Sequence, residues 1–122
     1  MAARVLVVDD ERDVQALVSM VLERQGYEVE LASDGREALA KIDARRPDLV
    51  VLDLMMPEID GWGVLERLRG HSAPPRVVLL SAYAHDPTTR QRGLDAGAWE
   101  CLGKPFRLPE LITTCQKALN GV

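Results

Sequence analysis

The segment RVLVVDD, residues 4–10, places an apolar run directly before two aspartates. Three other apolar runs also end at a polar residue suited to phosphate chemistry: LVVL before Asp53, RVVLL before Ser81 and WECLG before Lys104. If the four runs are parallel strands of one sheet, their carboxyl ends meet at one edge and bring these residues together. The sequence therefore predicts a single functional site at that edge.

Strand-like and helix-like segments alternate five times, which is typical of an α/β fold with a parallel sheet covered by helices on both faces. Most of the strand candidates are continuous apolar runs, as expected for strands buried on both faces, whereas YEVELA alternates and predicts an edge strand. The predicted strands are 4–8, 28–32, 48–52, 76–80 and 99–103.

The intervening segments predict five helices. Between Glu11 and Gln25 the apolar residues fall on one helical face; they are Val14, Leu17, Val18, Val21 and Leu22. The second helix is predicted to begin near 33–35, the third to span 63–69 and the last to begin near Pro109. The segment 85–96 lacks an apolar stripe, so its helix is predicted to be weakly held.

Composition narrows the class of protein. The 122 residues suit one domain, residues 1–122, and no apolar stretch reaches the ~20 residues of a membrane-spanning helix. A net charge of −4 without a basic block argues against direct nucleic-acid binding. No leader sequence is recognisable, so a cytoplasmic location is expected. Cys101 and Cys115 lie too far apart for a C-x-x-C motif and are predicted to be core residues.

The acidic residues at the predicted edge favour a metal site. Two carboxylates about 5 Å apart repel by roughly 3 kcal/mol at an effective dielectric constant of 20. Asp9, Asp10 and Asp53 together therefore favour a hard divalent cation with oxygen ligands, and Mg²⁺ suits one or two carboxylates plus phosphate and water. Taken alone, Asp10 is equally well explained as a helix cap.

Lys104 and Ser81 extend this chemistry to phosphate. The lysine offers a compact charge that can pair with a carboxylate or a phosphoryl oxygen. The serine offers a small hydroxyl donor. With the aspartates they predict a phosphoryl-transfer site.

In order and spacing, four motifs resemble those of the response regulator receiver domains of two-component signalling: VLVVDDE (5–11), VVLDLMMPEIDG (50–61), VVLLSA (77–82) and LGKPF (102–106). The likeness covers essentially the whole chain. It implies a flavodoxin-like, doubly wound, five-stranded parallel sheet of order 2-1-3-4-5.

The resemblance also implies roles for individual residues. Asp53 corresponds to the phosphoacceptor, which takes a phosphoryl group from a phosphohistidine. Asp10, Asp53 and the backbone carbonyl of Met55 are expected to hold Mg²⁺, with Asp9 acting through metal-bound water. Phosphoryl contacts are expected from the Ser81 hydroxyl, the Ala82 N–H and Lys104.

Two further features follow from the resemblance. The Lys104–Pro105 bond corresponds to one that is cis in the family. Cys101 departs from the pattern, because family members usually carry Tyr or Phe at this switch position. Trp99 and Tyr83 are the nearby aromatic residues available to take over part of that role.

As a receiver domain, the chain is expected to catalyse only its own phosphorylation and dephosphorylation. Its expected partners are a sensor histidine kinase or histidine phosphotransfer protein and a C-terminal output domain or downstream protein, with no nucleic acid or membrane. Phosphorylation is expected to change the surface of helix 4, strand 5 and helix 5, and a homodimer through helices 4 and 5 is an option.

Other functions compete with this interpretation. Phosphatases of the haloacid dehalogenase type also use an Asp nucleophile with Mg²⁺, but they resemble D-x-D and here Met55 stands at the second position. Flavin binding uses the same architecture, although acidic loops would repel a flavin phosphate. A degenerate receiver that only docks partners is the third alternative, against which the complete set of site residues speaks.

Overall fold

The computed structural model describes residues 2–120, so Met1, Gly121 and Val122 of the predicted domain 1–122 lie outside the described residues. Five parallel strands form one sheet in the order β2-β1-β3-β4-β5. The strands are β1 (Arg4–Val8), β2 (Glu28–Ala32), β3 (Leu49–Asp53), β4 (Arg76–Ser81) and β5 (Glu100–Gly103). The predicted fold class and strand order are therefore confirmed.

Five helices alternate with the strands: α1 (Arg12–Arg24), α2 (Gly35–Ala44), α3 (Gly61–Leu68), α4 (Pro87–Asp95) and α5 (Leu108–Asn120). Three of them begin at an aspartate whose side chain accepts a hydrogen bond from a backbone N–H of the first turn, which satisfies one otherwise unpaired donor. These N-caps are Asp34, Asp60 and Asp86. No helix among residues 2–120 has the length and apolar character needed to cross a membrane.

The sheet separates two apolar layers. On one face, Leu6, Leu52 and Leu79 pack with side chains of α2 and α3. On the other, Val7 and Val51 pack with side chains of α1 and α5. Strands β1, β3 and β4 are almost entirely buried, whereas β2 alternates exposed and half-buried residues at the sheet edge, as predicted.

One detail of the α1 prediction is wrong. Leu17 was grouped with Val18, Val21 and Leu22 on one helical face, but unlike Val18, Val21 and Leu22 it is 39% exposed, whereas Gln15 is buried. The start of α1 lies against the carboxyl ends of β1 and β2, where backbone carbonyls face the helix. A side chain that donates hydrogen bonds suits that position better than an apolar one.

The helix α4 buries only Gly93 of its nine residues. Any Cβ at this position would lie 2.8 Å from a side-chain carbon of Leu79, so the glycine lets the helix backbone approach the sheet. This agrees with the absence of an apolar stripe in the sequence.

Gly61 brings the start of α3 directly over the end of β3. Its N–H donates to the Leu54 carbonyl at 3.0 Å, and a Cβ at this position would lie 2.7 Å from the carbonyl oxygen of Asp53. The loop that follows Asp53 is therefore held close to the sheet by a glycine.

We expect Gly61→Ala to lower the free energy of unfolding by about 1–3 kcal/mol, because the added methyl group meets backbone that cannot move aside. Gly70→Ala is the matched control, since its Cβ would make only an ordinary contact at 3.6 Å with the Arg67 carbonyl. Urea unfolding of both variants measures the difference. Equal stability of the two variants would contradict the close approach.

Candidate functional site

The carboxyl ends of four strands bring the predicted site residues to one edge of the sheet. Asp53 is the last residue of β3 and pairs in register with Leu80, directly before Ser81. Ser81 pairs with Gly103, directly before Lys104. Asp9 follows β1, which lies beside β3. Residues far apart in sequence thus become neighbours, as predicted.

Three carboxylates form the acidic part of the site. Asp9, Asp10 and Asp53 each offer an oxygen that lies within 4.8 Å of the other two. Asp9 and Asp53 are buried, whereas Asp10 is exposed. The cluster therefore has a buried base and a side open to solvent, through which a cation and a phosphate donor can enter.

The polar atoms of Asp9 are fixed by surrounding groups. Its Oδ1 accepts from the backbone N–H of Glu11 at 2.9 Å, and its Oδ2 accepts from Lys104 Nζ at 2.8 Å. Its own N–H donates to the Ala32 carbonyl at 3.1 Å. A buried carboxylate needs such partners because an unpaired buried charge is strongly unfavourable.

Lys104 joins the acidic residues. Its Nζ lies 2.8 Å from Asp9, 3.4 Å from Asp53 and 3.4 Å from Glu11, all measured to carboxylate oxygens. Burial by itself lowers the pKa of Lys104, but the hydrogen bond to Asp9 and the neighbouring carboxylates outweigh it, so the pKa is raised. The amine therefore stays protonated and serves as the positive charge of the site. The Lys104–Pro105 bond is cis, as expected.

Asp53 is in an unfavourable place for a negative charge. Burial and the neighbouring charge of Asp9 raise its pKa to about 6. The Met55 N–H, which donates to Asp53 Oδ1 at 3.2 Å, and Lys104 favour the ionised form but only partly offset this effect. A bound cation would supply the missing positive charge.

The other predicted site residues lie around this cluster. Ser81 is buried, and its Oγ accepts from the Tyr83 N–H at 3.0 Å. Ala82 is exposed in the loop that follows β4. Met55 is 62% exposed, so its side chain lies at the surface beside Asp53.

Cys101, which stands where members of the family that the sequence resembles usually carry Tyr or Phe, is buried. An arginine of α4 covers its backbone: Arg90 Nη1 donates to the Cys101 carbonyl at 3.0 Å, and Arg90 also pairs with Glu100. The strand β5 is thus tied to α4 by a guanidinium group. Both Cys101 and Cys115 are free and buried, as predicted.

The two aromatic residues suggested for the switch role differ in position. Trp99 precedes Glu100 at the start of β5 and stacks under Arg76 at 4.3 Å. Trp99 lies four residues before Gly103, the strand partner of Ser81, and is therefore about 13 Å from Ser81 along the strand direction. Tyr83 is beside Ser81 and 59% exposed. Of the two, only Tyr83 is close to the hydroxyl.

Three residues near the site were missed from the sequence: Glu11, which pairs with Lys104, Gln15, which contacts the Asp9 backbone, and Arg90, which contacts the Cys101 backbone. Gln15 had a detectable signal, because it stands at helical spacing with Val18 and Leu22 on the buried side of α1. Glu11 stands in a run of charged residues and Arg90 in a polar segment without an apolar stripe, so neither had a signal in its sequence context.

Comparisons with known proteins agree on one family. The sequence model of the family described as response regulator receiver domain matches residues 5–116. The response regulator MprA of Mycolicibacterium vanbaalenii is 46% identical over 120 residues, which cover 98% of this chain and 52% of the relative. MprA of Mycobacterium tuberculosis strain H37Rv is 45% identical over the same share of each protein. The chain thus spans about half the length of these curated relatives.

Solved structures agree with the sequence relatives. The chemotaxis response regulator CheY4 of Vibrio cholerae superposes with a TM-score of 0.91 at 37% identity, covering 98% of this chain and 100% of that one. The receiver domain of the Francisella response regulator 1452 gives a TM-score of 0.91 at 33% identity, covering 97% of each chain. From motif order, strand order and these matches, the chain belongs to the response regulator receiver domain family of two-component signalling.

Proposed function

We propose that Asp53 accepts a phosphoryl group from a phosphohistidine of a sensor histidine kinase or histidine phosphotransfer protein, in a reaction that needs Mg²⁺. The observation that carries this proposal is the cluster of Asp9, Asp10 and Asp53, whose oxygens lie within 4.8 Å, with Lys104 reaching two of the three. Among residues 2–120 this cluster is the one group of three or more His, Cys, Asp or Glu side chains placed to hold a metal ion.

The donor set suits magnesium. Three carboxylates face one lysine, and hard oxygen ligands around a solvent-open position fit a cation that keeps several waters. Asp10, Asp53 and the Met55 backbone carbonyl would hold the ion, with Asp9 acting through bound water. The ion would neutralise charge on the entering phosphoryl group.

The chain's own residues carry out the transfer. A carboxylate oxygen of Asp53 forms the new O–P bond while the N–P bond of the phosphohistidine breaks and the imidazole leaves. Lys104, already 3.4 Å from Asp53 Oδ2, is placed to pair with a phosphoryl oxygen. The Ser81 hydroxyl and the Ala82 N–H would donate to the remaining oxygens.

The competing functions have less support. A dehalogenase-type phosphatase needs a second carboxyl group two residues after its nucleophile, and Met55 has none. A flavin phosphate would meet the acidic cluster and be repelled. A docking-only receiver would not need five side chains from four strand ends to converge.

We propose that the output surface is formed by α4, β5 and α5. Arg90 links α4 to β5 two residues before Gly103, the strand partner of Ser81. A displacement of Ser81 toward the phosphoryl group would move its strand partner Gly103 and, through β5, the Cys101 carbonyl that Arg90 contacts. The relatives are about twice as long, so we further propose that an output domain or a downstream protein binds this surface. A homodimer formed through α4 and α5 is one such assembly.

Incubation with Mg²⁺ and acetyl phosphate tests the phosphoacceptor role. We expect intact-protein mass spectrometry to show one added phosphoryl group on the wild type and on Asp43→Asn, a control carboxylate in α2. We expect none on Asp53→Asn, because the amide is not a nucleophile. Absence of the group from the wild type would contradict the proposal, and steady turnover of p-nitrophenyl phosphate would favour the phosphatase.

A melting experiment tests the metal site. Mg²⁺ that binds only the folded protein stabilises it, by about 2.7 kcal/mol at a hundredfold excess over the dissociation constant. We expect the melting temperature of the wild type and of the control Asp95→Ala to rise with Mg²⁺. Asp10→Ala should show no rise, since it removes the exposed ligand. A wild type that ignores Mg²⁺ would show that the metal assignment is wrong.

Because the pKa of Asp53 is raised, replacing its carboxyl group with a neutral amide should increase the free energy of unfolding by an amount that depends on pH. A carboxyl group whose folded pKa lies above its unfolded value stabilises the fold at low pH and loses that contribution as pH rises from about 4 to 6. In EDTA at pH 7.5, Asp53→Asn should therefore be more stable than the wild type, by up to about 3 kcal/mol. Near pH 3, below the unfolded pKa of about 3.9, the carboxyl group is largely protonated in both states, so the two proteins should have nearly the same free energy of unfolding. A gain that does not change with pH would contradict this electrostatic cause.

A further inference from the structure

Gln15 is the polar residue among the buried side chains of α1, whose other buried members are Val18, Val21 and Leu22. Only 7% of its surface is exposed. A buried amide in such a place is unfavourable unless its hydrogen bonds are made. Its partners therefore indicate what the residue does.

The Gln15 side-chain amide contacts three acceptors at the carboxyl ends of β1 and β2. Its Nε2 lies 2.5 Å from the Asp9 carbonyl oxygen, 3.1 Å from Ser33 Oγ and 3.3 Å from the Ala32 carbonyl oxygen. The Ala32 carbonyl also accepts from the Asp9 N–H at 3.1 Å. One amide group thus joins the first helix to the two strand ends beside the acidic cluster.

The shortest of these contacts fixes the peptide plane between Asp9 and Asp10. A peptide group is planar, so the direction of the Asp9 carbonyl also sets the direction of the Asp10 N–H and the position of its Cα. The side chain of Asp9 is held separately, by the Glu11 N–H and by Lys104. Asp10 is exposed, so its placement depends more on the backbone that carries it.

We infer that Gln15 is a positioning residue for the metal site: by holding the Asp9–Asp10 peptide, it places the Asp10 carboxylate against Asp53 without touching metal or phosphate. This inference rests on the proposed function. Groups that orient metal ligands in this indirect way typically change metal affinity by 10–100-fold when removed. Since the Asp9 side chain keeps its own partners, we expect the lower end of that range.

The test uses Gln15→Met, which keeps the length of the side chain and removes its donors. Gln25→Met is the matched control, the same change just after the exposed end of α1. For each protein the rate of phosphorylation by acetyl phosphate is measured against Mg²⁺ concentration, at least 15 °C below the melting temperature in EDTA. Both the Mg²⁺ concentration giving half the maximal rate and the rate at saturating Mg²⁺ are recorded.

We expect Gln15→Met to need about tenfold more Mg²⁺ for half the maximal rate, with a saturated rate within about threefold of the wild type. Gln25→Met should match the wild type in both. A lower melting temperature in EDTA with an unchanged Mg²⁺ requirement would show that Gln15 only stabilises the fold, and would overturn the inference.

If Gln15→Met does not fold, Gln15→Asn decides the matter. This variant keeps a polar amide but is shorter by one methylene, so it cannot make all three contacts at their present distances. A raised Mg²⁺ requirement supports the inference and a wild-type requirement overturns it. A wild type that is not phosphorylated at all would instead overturn the proposed function, so the two failures are distinguishable.

Discussion

Repulsion among three carboxylates is the constraint around which the rest of the site is built. Asp9 and Asp53 are buried at the end of the sheet, where a charge is poorly solvated, and Asp10 lies beside them at the solvent side. Lys104 supplies one positive charge against these three, and the pKa of Asp53 is accordingly raised to about 6 by burial and by Asp9. Asp9 and Asp53 are nevertheless held together, because each accepts a backbone hydrogen bond and both pair with Lys104. Under the proposed function, a bound cation would relieve this repulsion and would then attract the negatively charged phosphoryl group.

The sheet provides the rigidity that this arrangement needs. β1, β3 and β4 are covered on both faces, so the residues at their carboxyl ends are held by a closely packed interior. By contrast, α4 buries only Gly93 and is tied to β5 by the polar contacts of Arg90. The molecule therefore joins a fixed site to a more loosely attached neighbouring helix, a combination that suits a switch.

The pattern of apolar runs predicted most of the fold, because buried parallel strands are recognisable as continuous β-branched and leucine segments. Their shared edge predicted the neighbourhood of Asp9, Asp53, Ser81 and Lys104, while the strand order came from the family resemblance. The prediction failed where tertiary contacts decide. Leu17 fits the apolar stripe but is exposed, whereas Gln15 is buried because the carbonyls of Asp9, just after β1, and of Ala32 in β2 accept from it. Arg90 was missed for a similar reason, since one of its partners is the Cys101 backbone carbonyl, which no side-chain pattern reveals.

The central claim is that burial and the charge of Asp9 destabilise the ionised form of Asp53 until a cation binds. Carbon-13 NMR of the side-chain carboxyl of Asp53, followed against pH with EDTA and then with saturating Mg²⁺, tests this claim most directly. The account predicts a pKa of about 6 without the metal and a value below the ordinary carboxyl range, about 4, when the metal is bound. A pKa near 4 that is the same with and without Mg²⁺ would contradict it.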